Sequence, residues 1–449
     1  MSTIIEQPRH GCALSAQQTV LAIPRAMPIV HAGPGCASKS FGFAATGAGF
    51  QGEGYAGGSH ISSTNTGEQE VIFGGEPSLD KEIKGALQIL DGDMFVVLTG
   101  CTSDIVGDDS QSIAEKYAAD GYPVVGTETA GFKGNSYYGH EMVVKAIIEQ
   151  FVGNIVPKVR RGLVNVFATV PFQDLFWRGD LEEIKRILTK IGLEVNILFG
   201  NESAGVSEWR DIPNAQFNLL ISPSTGTEVV KLLEEKYQTP YLQYPILPVG
   251  GTETSRFLRE IAAFAGLSAV RTEKVIKEEE KRFYDYLVSV SDFIGEYWNN
   301  LPIDLYTVGD SIYAPGVSSF LVNELGLEPK GIYLTDETKE DWQAVITDAL
   351  AERDTRLKTS LVFENDGGRI EADIRQKSDK ARHSIILGSS WEKFLALDIG
   401  SLYAYLSLPL DETVILNNSY LGYNGGLRLI EEVYSAVFKC RPATARSIY

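Results

Sequence analysis

The sequence predicts an α/β protein built from doubly wound parallel sheets. Short, almost continuously apolar segments alternate with amphipathic segments along most of the chain, which is typical of buried parallel strands covered by helices. The length of 449 residues also exceeds what one hydrophobic core usually accommodates. We therefore expect three α/β domains of similar size, at residues 1–155, 156–300 and 301–449.

The alternation of apolar and amphipathic segments can be followed in chain order. Ile113 and Tyr117, for example, have helical spacing. A long charged helical stretch, Thr272–Trp298, interrupts the alternation. The predicted elements before it are the strand Met94–Leu98, the helix Ser110–Ala119, the strands Pro123–Val125 and Val164–Ala168, the helix Leu181–Lys190, the strands Glu194–Phe199 and Phe217–Ile221, and the helix Glu228–Lys236. Those after it are Asp304–Val308, Ser318–Leu325, Gly331–Leu334, Glu340–Glu352, Ser360–Phe363 and His383–Leu387.

One segment departs from this pattern. Gly42–Gly75 is rich in Gly, Ser and Thr and has no helical periodicity. It is interpreted either as an exposed linker or as a long loop beside a functional site, because long structureless loops in compact domains are usually functional.

Composition excludes several classes of function. Hydrophobic residues make up 44% and charged residues 22%, as in folded proteins. A net charge of −19 argues against nucleic-acid binding and favours a protein partner. Met1–His10 lacks the apolar core of a signal peptide, and no apolar run approaches the roughly 20 residues needed to span a bilayer. We expect a cytoplasmic protein without a membrane partner, in a reducing compartment.

Three cysteines fall in the first quarter of the chain, beside glycine or just after a predicted strand. Cys12 follows Gly11, Cys36 ends the segment Ile29–Cys36, and Cys101 follows the apolar run that ends at Gly100. Ligands collect at the carboxyl ends of strands in open α/β sheets. Thiolates favour iron–sulfur clusters, zinc or Cu(I), so the residues alone leave the metal open.

The spacing of these cysteines differs from the short Cys-x-x-Cys pattern of zinc knuckles and bacterial ferredoxins. The ligands would converge from three separate loops. Three thiolates also leave a four-thiolate site incomplete, so a further ligand must come from a non-cysteine group or from a second polypeptide. This favours an iron–sulfur cluster at a subunit interface. The fourth cysteine, Cys440, is interpreted as a small buried apolar residue.

The three cysteine segments, Gly11–Cys12, His31–Cys36 and Thr99–Asp109, resemble the cluster-binding segments of one family. This family comprises the component 1 proteins of nitrogenase and the nitrogenase-like reductases, and the resemblance is to the β-type subunit. The acidic pair that follows Gly107 is the most specific feature. Further segments that resemble the family are Val71–Gly75, Gly131–Gly134, Leu408–Asp411 and Tyr420–Gly426.

The resemblance implies three Rossmann-like domains and a metal site formed by Cys12, Cys36 and Cys101. These residues would be thiolate ligands of a P-cluster type iron–sulfur cluster (8Fe–7S) that is shared with an α-type subunit in an α2β2 heterotetramer. The active-site iron–sulfur cofactor would lie in the α-type chain, so no catalytic residue is expected here. His31 is expected either to orient the cluster loop through a hydrogen bond or to have a plain role in the loop.

The resemblance also implies a second partner, a homodimeric iron protein that hydrolyses ATP and delivers electrons. This chain has no Gly-x-x-x-x-Gly-Lys-Ser/Thr phosphate loop of its own. It also has no cysteine between Cys101 and Cys440, whereas an α-type chain would hold its cofactor through a cysteine in this region.

Two departures from the molybdenum nitrogenase pattern bear on the substrate. Gly131 replaces a serine, so no hydroxyl ligand is available there, and the long N-terminal extension of the molybdenum β subunit is lacking. Both favour a branch that does not reduce dinitrogen, and we expect a methylthio-alkane reductase, which cleaves carbon–sulfur bonds in small thioethers.

Three alternatives remain open. The first is the β subunit of a vanadium or iron-only nitrogenase. The second is a cofactor-assembly scaffold, although the β-like scaffold member commonly lacks the cysteine that corresponds to Cys101. The third is a sugar- or nucleotide-binding protein of the same fold class, which would leave the three glycine-flanked thiols unexplained.

Overall fold

The computed structural model describes residues 5–38, 61–379 and 381–439 of the chain. In these ranges the strands form three separate sheets, and every pairing between neighbouring strands is parallel. The predicted α/β class with three parallel sheets is therefore confirmed. The domain limits near residues 155 and 300 stay a prediction.

The N-terminal sheet provides the framework for two of the predicted metal ligands. It consists of β1 (Ala26–His31), β2 (Ser62–Ser63), β3 (Met94–Thr99) and β4 (Val124–Thr127), in the order β2-β1-β3-β4. The strands β1 and β3 are buried over their whole length, as expected when helices cover both faces of a sheet. Because the winding direction reverses between β1 and β3, a crevice is expected between their carboxyl ends.

The other two sheets repeat this architecture. The middle sheet consists of β5 (Arg160–Phe167), β6 (Glu194–Ile197), β7 (Ala215–Ile221) and β8 (Tyr241–Tyr244). The C-terminal sheet consists of β9 (Asp304–Gly309), β10 (Glu328–Leu334), β11 (Leu361–Phe363), β12 (Ser384–Gly388) and β13 (Leu402–Tyr405). Their orders are β6-β5-β7-β8 and β11-β10-β9-β12-β13, so the winding reverses between β5 and β7 and between β9 and β12.

Helices of varied length surround the sheets. They are α1 (Gln17–Leu21), α2 (34–38), α3 (Glu68–Phe73), α4 (Glu76–Ile89), α5 (Cys101–Val106), α6 (Ser110–Ala119), α7 (Ser136–Ala146), α8 (Trp177–Ile191), α9 (Val206–Asp211), α10 (Thr227–Tyr237), α11 (Gly250–Phe264), α12 (Ala269–Ser289), α13 (Ser291–Glu296), α14 (Tyr313–Asn323), α15 (Glu340–Ala351), α16 (Thr355–Thr359), α17 (Gly367–Lys377), α18 (Ser390–Ile399) and α19 (Gly422–Lys439). Short 3-10 segments cover Ala13–Ala16, Gly131–Lys133, Ile212–Asn214 and Trp298–Asn300, and a π-helical turn covers Ile147–Val152. Across the described ranges, no helix combines the length and the apolar character needed to cross a membrane.

The local sequence accounts for most of these elements. The predicted helix Ser110–Ala119 is α6 with the same ends, because the Asp109 carboxylate accepts a hydrogen bond from Ser112 N at 3.0 Å and caps the first turn. The long helix α8 buries Leu181, Ile184 and Leu188 on one face.

One prediction of local structure was right only in part, and another was wrong. The helix expected over Thr272–Trp298 is interrupted after α12, where β-branched Val288 and Val290 weaken the helical preference and Val290 leaves the helical backbone conformation. The loop expected over Gly42–Gly75 contains α3, because the Glu70 carboxylate accepts a hydrogen bond from Gly67 N at 2.9 Å and caps this helix. Residues 42–60 of that loop, like Cys440, lie outside the described residues.

The C-terminal helix packs on the helices of the middle sheet. Helix α19 lies against α8, α11 and α12. Gly422 N donates to the Pro248 carbonyl at 2.7 Å, and Asn424 Nδ2 donates to the Glu183 carboxylate at 2.6 Å. The end of the chain therefore ties the C-terminal and middle sheets together.

Buried carboxylates also lie where these two sheets meet. Asp180 in α8 accepts hydrogen bonds from Ser419 Oγ at 2.6 Å and from the Tyr313 hydroxyl. Burial raises the pKa of Asp180 to about 6 against the effect of these hydrogen bonds. Burial, aided by the negative charge of Asp336, raises the pKa of Asp310 to about 7. The region between these two sheets therefore favours the protonated forms of Asp180 and Asp310 more than water does.

Candidate metal centre

Two of the predicted metal ligands lie at the crevice of the N-terminal sheet. Cys36 is in α2, after β1, and Cys101 is the first residue of α5, directly after β3. Because β1 and β3 are parallel neighbours, both cysteines lie at the same edge of the sheet. Their positions agree with the sequence-based expectation, and their role as ligands stays a prediction.

Glycine at position 100 allows the two strand ends to approach closely. A Cβ atom at Gly100 would overlap the Ala32 side chain, so no larger residue fits without a shift of the backbone. Gly100 N donates to the His31 carbonyl at 3.0 Å, and Ser103 Oγ donates to the same carbonyl at 2.7 Å. The start of α5, and with it Cys101, is therefore held against the end of β1.

The third predicted ligand, Cys12, reaches the same region from the N-terminal segment. It pairs with Asn135 in an isolated antiparallel bridge. Ala13 N donates to the Gly134 carbonyl at 2.9 Å, and Ser136 N donates to the Gly11 carbonyl at 2.8 Å. Cys12 is thus positioned by a segment far from it in sequence.

Gly131 lies between Cys12 and Cys101. A Cβ atom at Gly131 would be 3.2 Å from the sulfur of each of these cysteines and 3.0 Å from Cys12 Cβ. Both thiols are exposed to solvent. The structure therefore brings Cys12 and Cys101 together beside a glycine, where any side chain would crowd both sulfurs.

Cys36 is held differently from the other two cysteines. It is half-buried and packs against the main hydrophobic core. Its carbonyl accepts a hydrogen bond from Gln17 Nε2 at 3.3 Å. Among the described residues, no group of three or more His, Cys, Asp or Glu side chains is arranged to hold a single metal ion. A mononuclear site formed by all three cysteines is therefore not what this arrangement provides.

His31 is the last residue of β1 and makes a buried contact with Asp108. His31 Nε2 lies 2.9 Å from Asp108 Oδ2, and His31 Nδ1 lies 3.1 Å from Thr64 Oγ1. Burial lowers the pKa of His31, although the hydrogen bond and charge of Asp108 oppose this. The ring is therefore neutral at pH 7, and because a carboxylate only accepts hydrogen bonds, Nε2 carries the proton.

The acidic pair after Gly107 has a structural role that sequence reasoning missed. Gly107 has a φ of +87° and ends α5, which lets the chain turn back towards β1. Asp108 then accepts from His31 and from Gly75 N, the latter at 2.8 Å, while Asp109 caps α6. The sequence signal that could have predicted these roles is the order Gly-Asp-Asp, in which a glycine that can end a helix is followed by two residues that can accept backbone hydrogen bonds.

An ion pair next to the cysteines was also missed. Lys133 Nζ lies 2.7 Å from Asp104 Oδ2, one turn after Cys101, and also contacts the Glu128 carboxylate. Burial acts to lower the pKa of Lys133, but its hydrogen bonds and attraction to Asp104 and Glu128 outweigh this and raise it. The ion pair fastens the segment that contains Gly131 to α5.

The sequence profile of the nitrogenase component 1 type oxidoreductases matches residues 12–438 of this chain, which includes Cys12, Cys36 and Cys101. The chain belongs to the nitrogenase component 1 type oxidoreductases. The family predicted from the cysteine segments is therefore confirmed.

Relatives of this component 1 type chain include both kinds of nitrogenase subunit. It is 22% identical to the nitrogenase vanadium-iron protein beta chain of Trichormus variabilis, over 94% of this chain and 91% of the relative. It is 24% identical to the nitrogenase molybdenum-iron protein alpha chain of Methanothermobacter thermautotrophicus, over 96% of this chain and 88% of the relative. The identities to this beta chain and this alpha chain are nearly the same, so they do not assign the chain to one subunit type.

A solved structure shares the fold of this component 1 type chain. Nitrogenase Cp1 at pH 6.5 superimposes with a TM-score of 0.79 and 20% sequence identity, over 100% of this chain and 96% of the other. The fold predicted as nitrogenase component 1 type is therefore confirmed.

The cysteine edge of this component 1 type chain also carries exposed apolar side chains. Helix α3 lies against α5, and the segment Gly131–Lys133 lies next to Cys12. Isolated exposed apolar residues are ordinary, but a group of them around one site marks an interaction surface. We refer to this group as the apolar rim: Val71, Ile72, Phe73, Ile105 and Phe132.

Proposed function

We propose that this chain is the β-type subunit of a nitrogenase-like reductase. In this role it holds a P-cluster type iron–sulfur cluster (8Fe–7S) through Cys12, Cys36 and Cys101, together with ligands from an α-type subunit. The observation that carries the proposal is the placement of the Cys12 and Cys101 thiols around Gly131 at the crevice of a doubly wound sheet.

The described residues fit such a cluster better than a single ion. Thiolates are the ligands that iron–sulfur clusters use. Cys12 and Cys101 are both exposed and both lie close to Gly131, so a group bound to the two sulfurs would also be accessible to ligands from a second subunit. When bound, such a cluster supplies reversible electron storage, while the protein positions the thiolates and limits the access of water.

The apolar rim supports the proposal that an α-type subunit covers this site. Ile72 and Phe73 are 70% and 80% exposed, which is unfavourable for a surface that stays in water. A partner that covers the rim would bury these side chains and enclose the two exposed thiols. We propose an α2β2 heterotetramer, to which a homodimeric ATP-hydrolysing iron protein delivers electrons.

For the substrate, we propose reductive cleavage of the carbon–sulfur bond of a methylthio-alkane in the α-type partner. This reaction consumes electrons and protons and yields a thiol and a hydrocarbon. The feature of this chain that supports it is Gly131, which has no hydroxyl to offer to a cluster beside Cys12 and Cys101. Reduction of dinitrogen, as in vanadium or iron-only nitrogenase, and a scaffold role without turnover are the other outcomes of the test.

The proposal is tested by producing the chain anaerobically together with any α-type subunit and iron protein that neighbouring genes encode, and measuring iron in the purified complex. We expect more iron than one four-iron cluster per αβ pair. C12A and C101A should each lose much of this iron, whereas C440A serves as the matched cysteine control and should retain it. Equal iron in C101A and C440A would contradict the ligand assignment.

Activity assays of the same complex then address the substrate. With ATP and reductant, we expect a thiol and a hydrocarbon from a dialkyl thioether. Ammonia from dinitrogen, without thioether cleavage, would place the complex with the dinitrogen-reducing enzymes. Retention of a cluster without either product would favour the scaffold role.

A further inference from the structure

The chain ahead of Cys12 lies against the C-terminal α/β unit, by which we mean the C-terminal sheet with helices α14–α18. The Glu6 carbonyl accepts a hydrogen bond from Gly367 N, at the start of α17, at 2.9 Å. Gln7 approaches so closely that a Cβ atom at Gly367 would overlap its side chain. Residues 6 and 7 are therefore seated on the start of α17.

The main anchor of this segment is a buried ion pair between Arg9 and Glu392. Their side chains are 2% and 4% exposed. Arg9 Nη1 donates to Glu392 Oε2 at 2.6 Å and to Ser389 Oγ at 2.9 Å, while Nη2 contacts the other carboxylate oxygen. The Arg9 guanidinium also lies over the Trp391 ring, with Cζ 5.0 Å from the ring centroid. A two-point contact of this kind fixes the orientation of the guanidinium as well as its position.

The charge state of the pair follows from its surroundings. Burial acts to raise the pKa of Glu392, but the charge of Arg9 and the hydrogen bonds from Arg9 and Ser389 outweigh it and hold the pKa below its usual value. The carboxylate is therefore ionised at neutral pH. Each partner needs the other, because an unpaired buried charge is strongly unfavourable.

Three residues after Arg9 the chain pairs with the segment that precedes α7. Cys12 is paired with Asn135, and His10 lies between α7 and the C-terminal unit, with its ring centroid 5.1 Å from that of Tyr137 and its Nε2 3.5 Å from Thr335 Oγ1. Three residues span at most about 10 Å even when fully extended. The anchor at Arg9 and the bridge at Asn135 therefore restrict Cys12 from both sides.

We propose that Arg9 and Glu392 are positioning residues for Cys12. By tying the preceding chain to the C-terminal α/β unit, they set the position of the Cys12 thiol beside Gly131 and Cys101. The proposal depends on the proposed function only in taking Cys12 as a cluster ligand. Among the described residues, the C-terminal unit contributes no cysteine. Under this proposal it nevertheless helps to shape the metal centre.

If the ion pair between Arg9 and Glu392 only stabilised the fold, its removal would have a different effect than if it positioned Cys12. Loss of a merely stabilising pair lowers the stability of the chain without distinguishing the two exposed cysteines. Loss of a positioning pair changes Cys12 specifically, because Cys101 is held independently by β3 and by the contacts of Gly100 and Ser103 with His31. The ratio of the two cysteine reactivities therefore separates the alternatives.

The test measures alkylation of Cys12 relative to Cys101 in the reduced, metal-free, full-length chain, using peptide mass spectrometry. The first variant, R9M/E392M, replaces the pair with apolar side chains and leaves no unpaired charge. The second variant, E392D, keeps the charge but shortens its reach. The control is R356M, which breaks the exposed ion pair between Arg356 and Glu328, at 3.1 Å in the parent chain.

We expect the Cys12 to Cys101 ratio to rise severalfold in R9M/E392M, to rise less in E392D, and to stay at the parent value in R356M. A folded R9M/E392M chain with the parent ratio would overturn the proposal. If that variant does not fold, E392D decides in the same way. Absence of iron from the parent complex would overturn the proposed function instead, and would leave the alkylation result intact.

Discussion

His31 Nε2 lies 2.9 Å from Asp108 Oδ2, and this buried contact joins the end of β1 to the turn that follows α5. The other oxygen of the same carboxylate accepts a hydrogen bond from Gly75 N at 2.8 Å. One side chain therefore holds together the loops around both Cys36 and Cys101, although it lies outside the set of predicted ligands.

Replacing Asp108 should cost more stability than replacing its neighbour Asp109. D108A leaves the buried His31 ring and Gly75 N without their acceptor, at a cost of about 1–3 kcal/mol for each unsatisfied group. D109A removes an exposed helix cap, which is worth about 1 kcal/mol. Urea unfolding of the two variants measures the difference, and an equal or smaller loss in D108A would refute the role assigned to this contact.

The contribution of Asp180 and Asp310 to stability should fall as the pH rises from mildly acidic to neutral, while His140, whose pKa burial lowers to about 3, acts in the opposite direction. The pKa values of Asp180 and Asp310 in the folded chain are about 6 and about 7, against an ordinary value of 3.8, so the folded state binds these protons more tightly than the unfolded state. Their stabilising contribution is complete below pH 3.8 and is lost as the pH rises to about 7. Urea midpoints of the parent and of variants that cannot titrate, measured between pH 5 and pH 8, isolate this contribution.

Two variants identify the groups responsible for this pH dependence. D310N keeps the oxygen that accepts from Ile312 N and Tyr313 N but cannot titrate, so its stability relative to the parent should increase as the pH rises from 5 to 8. D285N, at an exposed position on α12, should keep the full dependence of the parent. A D310N chain with the parent's dependence would show that another group is responsible.

A methyl group at Gly131 should disturb the metal centre. In G131A the new Cβ would lie 3.2 Å from the sulfurs of both Cys12 and Cys101, and forcing atoms into such a space costs about 1–3 kcal/mol. We expect less iron in the complex purified with the α-type partner. G85A adds the same methyl group where nothing lies within 4 Å, and it should leave the iron content unchanged. Equal iron in both variants would contradict the proposed location of the cluster.

A negative charge in the apolar rim should weaken the association with the α-type subunit. I72E places a carboxylate on a side chain that is 70% exposed in the isolated chain, so folding should be unaffected while burial against a partner becomes unfavourable. I89E is the control, because Ile89 is 82% exposed at the end of α4 that faces the amino ends of the strands. Co-purification yields compare the two, and equal yields would argue against the rim as the contact surface.

Local sequence patterns were sufficient for most of the fold. Apolar runs such as Met94–Thr99 have no polar face, so burial in a parallel sheet is their most stable arrangement. The predicted ends of helices and loops were inaccurate where two local preferences compete. Val288 and Val290 interrupt a long charged helix, and α3 forms in a Gly-rich segment because Glu70 supplies a cap.

The candidate site depends on contacts that local patterns do not contain. The strand ends predicted the positions of Cys36 and Cys101, because parallel neighbours share an edge. The approach of Cys12 to Cys101 depends on the bridge to Asn135 and on the space at Gly131, which come from distant parts of the chain. The anchor between Arg9 and Glu392 joins residues near opposite ends of the chain and has no signature in either segment.

The register of β1 and β3 places His31 opposite Thr99. Inserting one residue between Thr99 and Cys101 would displace the thiol by about 3.3 Å, the rise of one strand residue, and turn it towards the other face of the sheet. An insertion between α6 and β4, on the opposite edge, would leave both cysteine loops in place. The sheet therefore fixes the position of the site. Insertions at the amino ends of the strands leave the cysteine loops in place, whereas insertions at the carboxyl ends displace the metal centre.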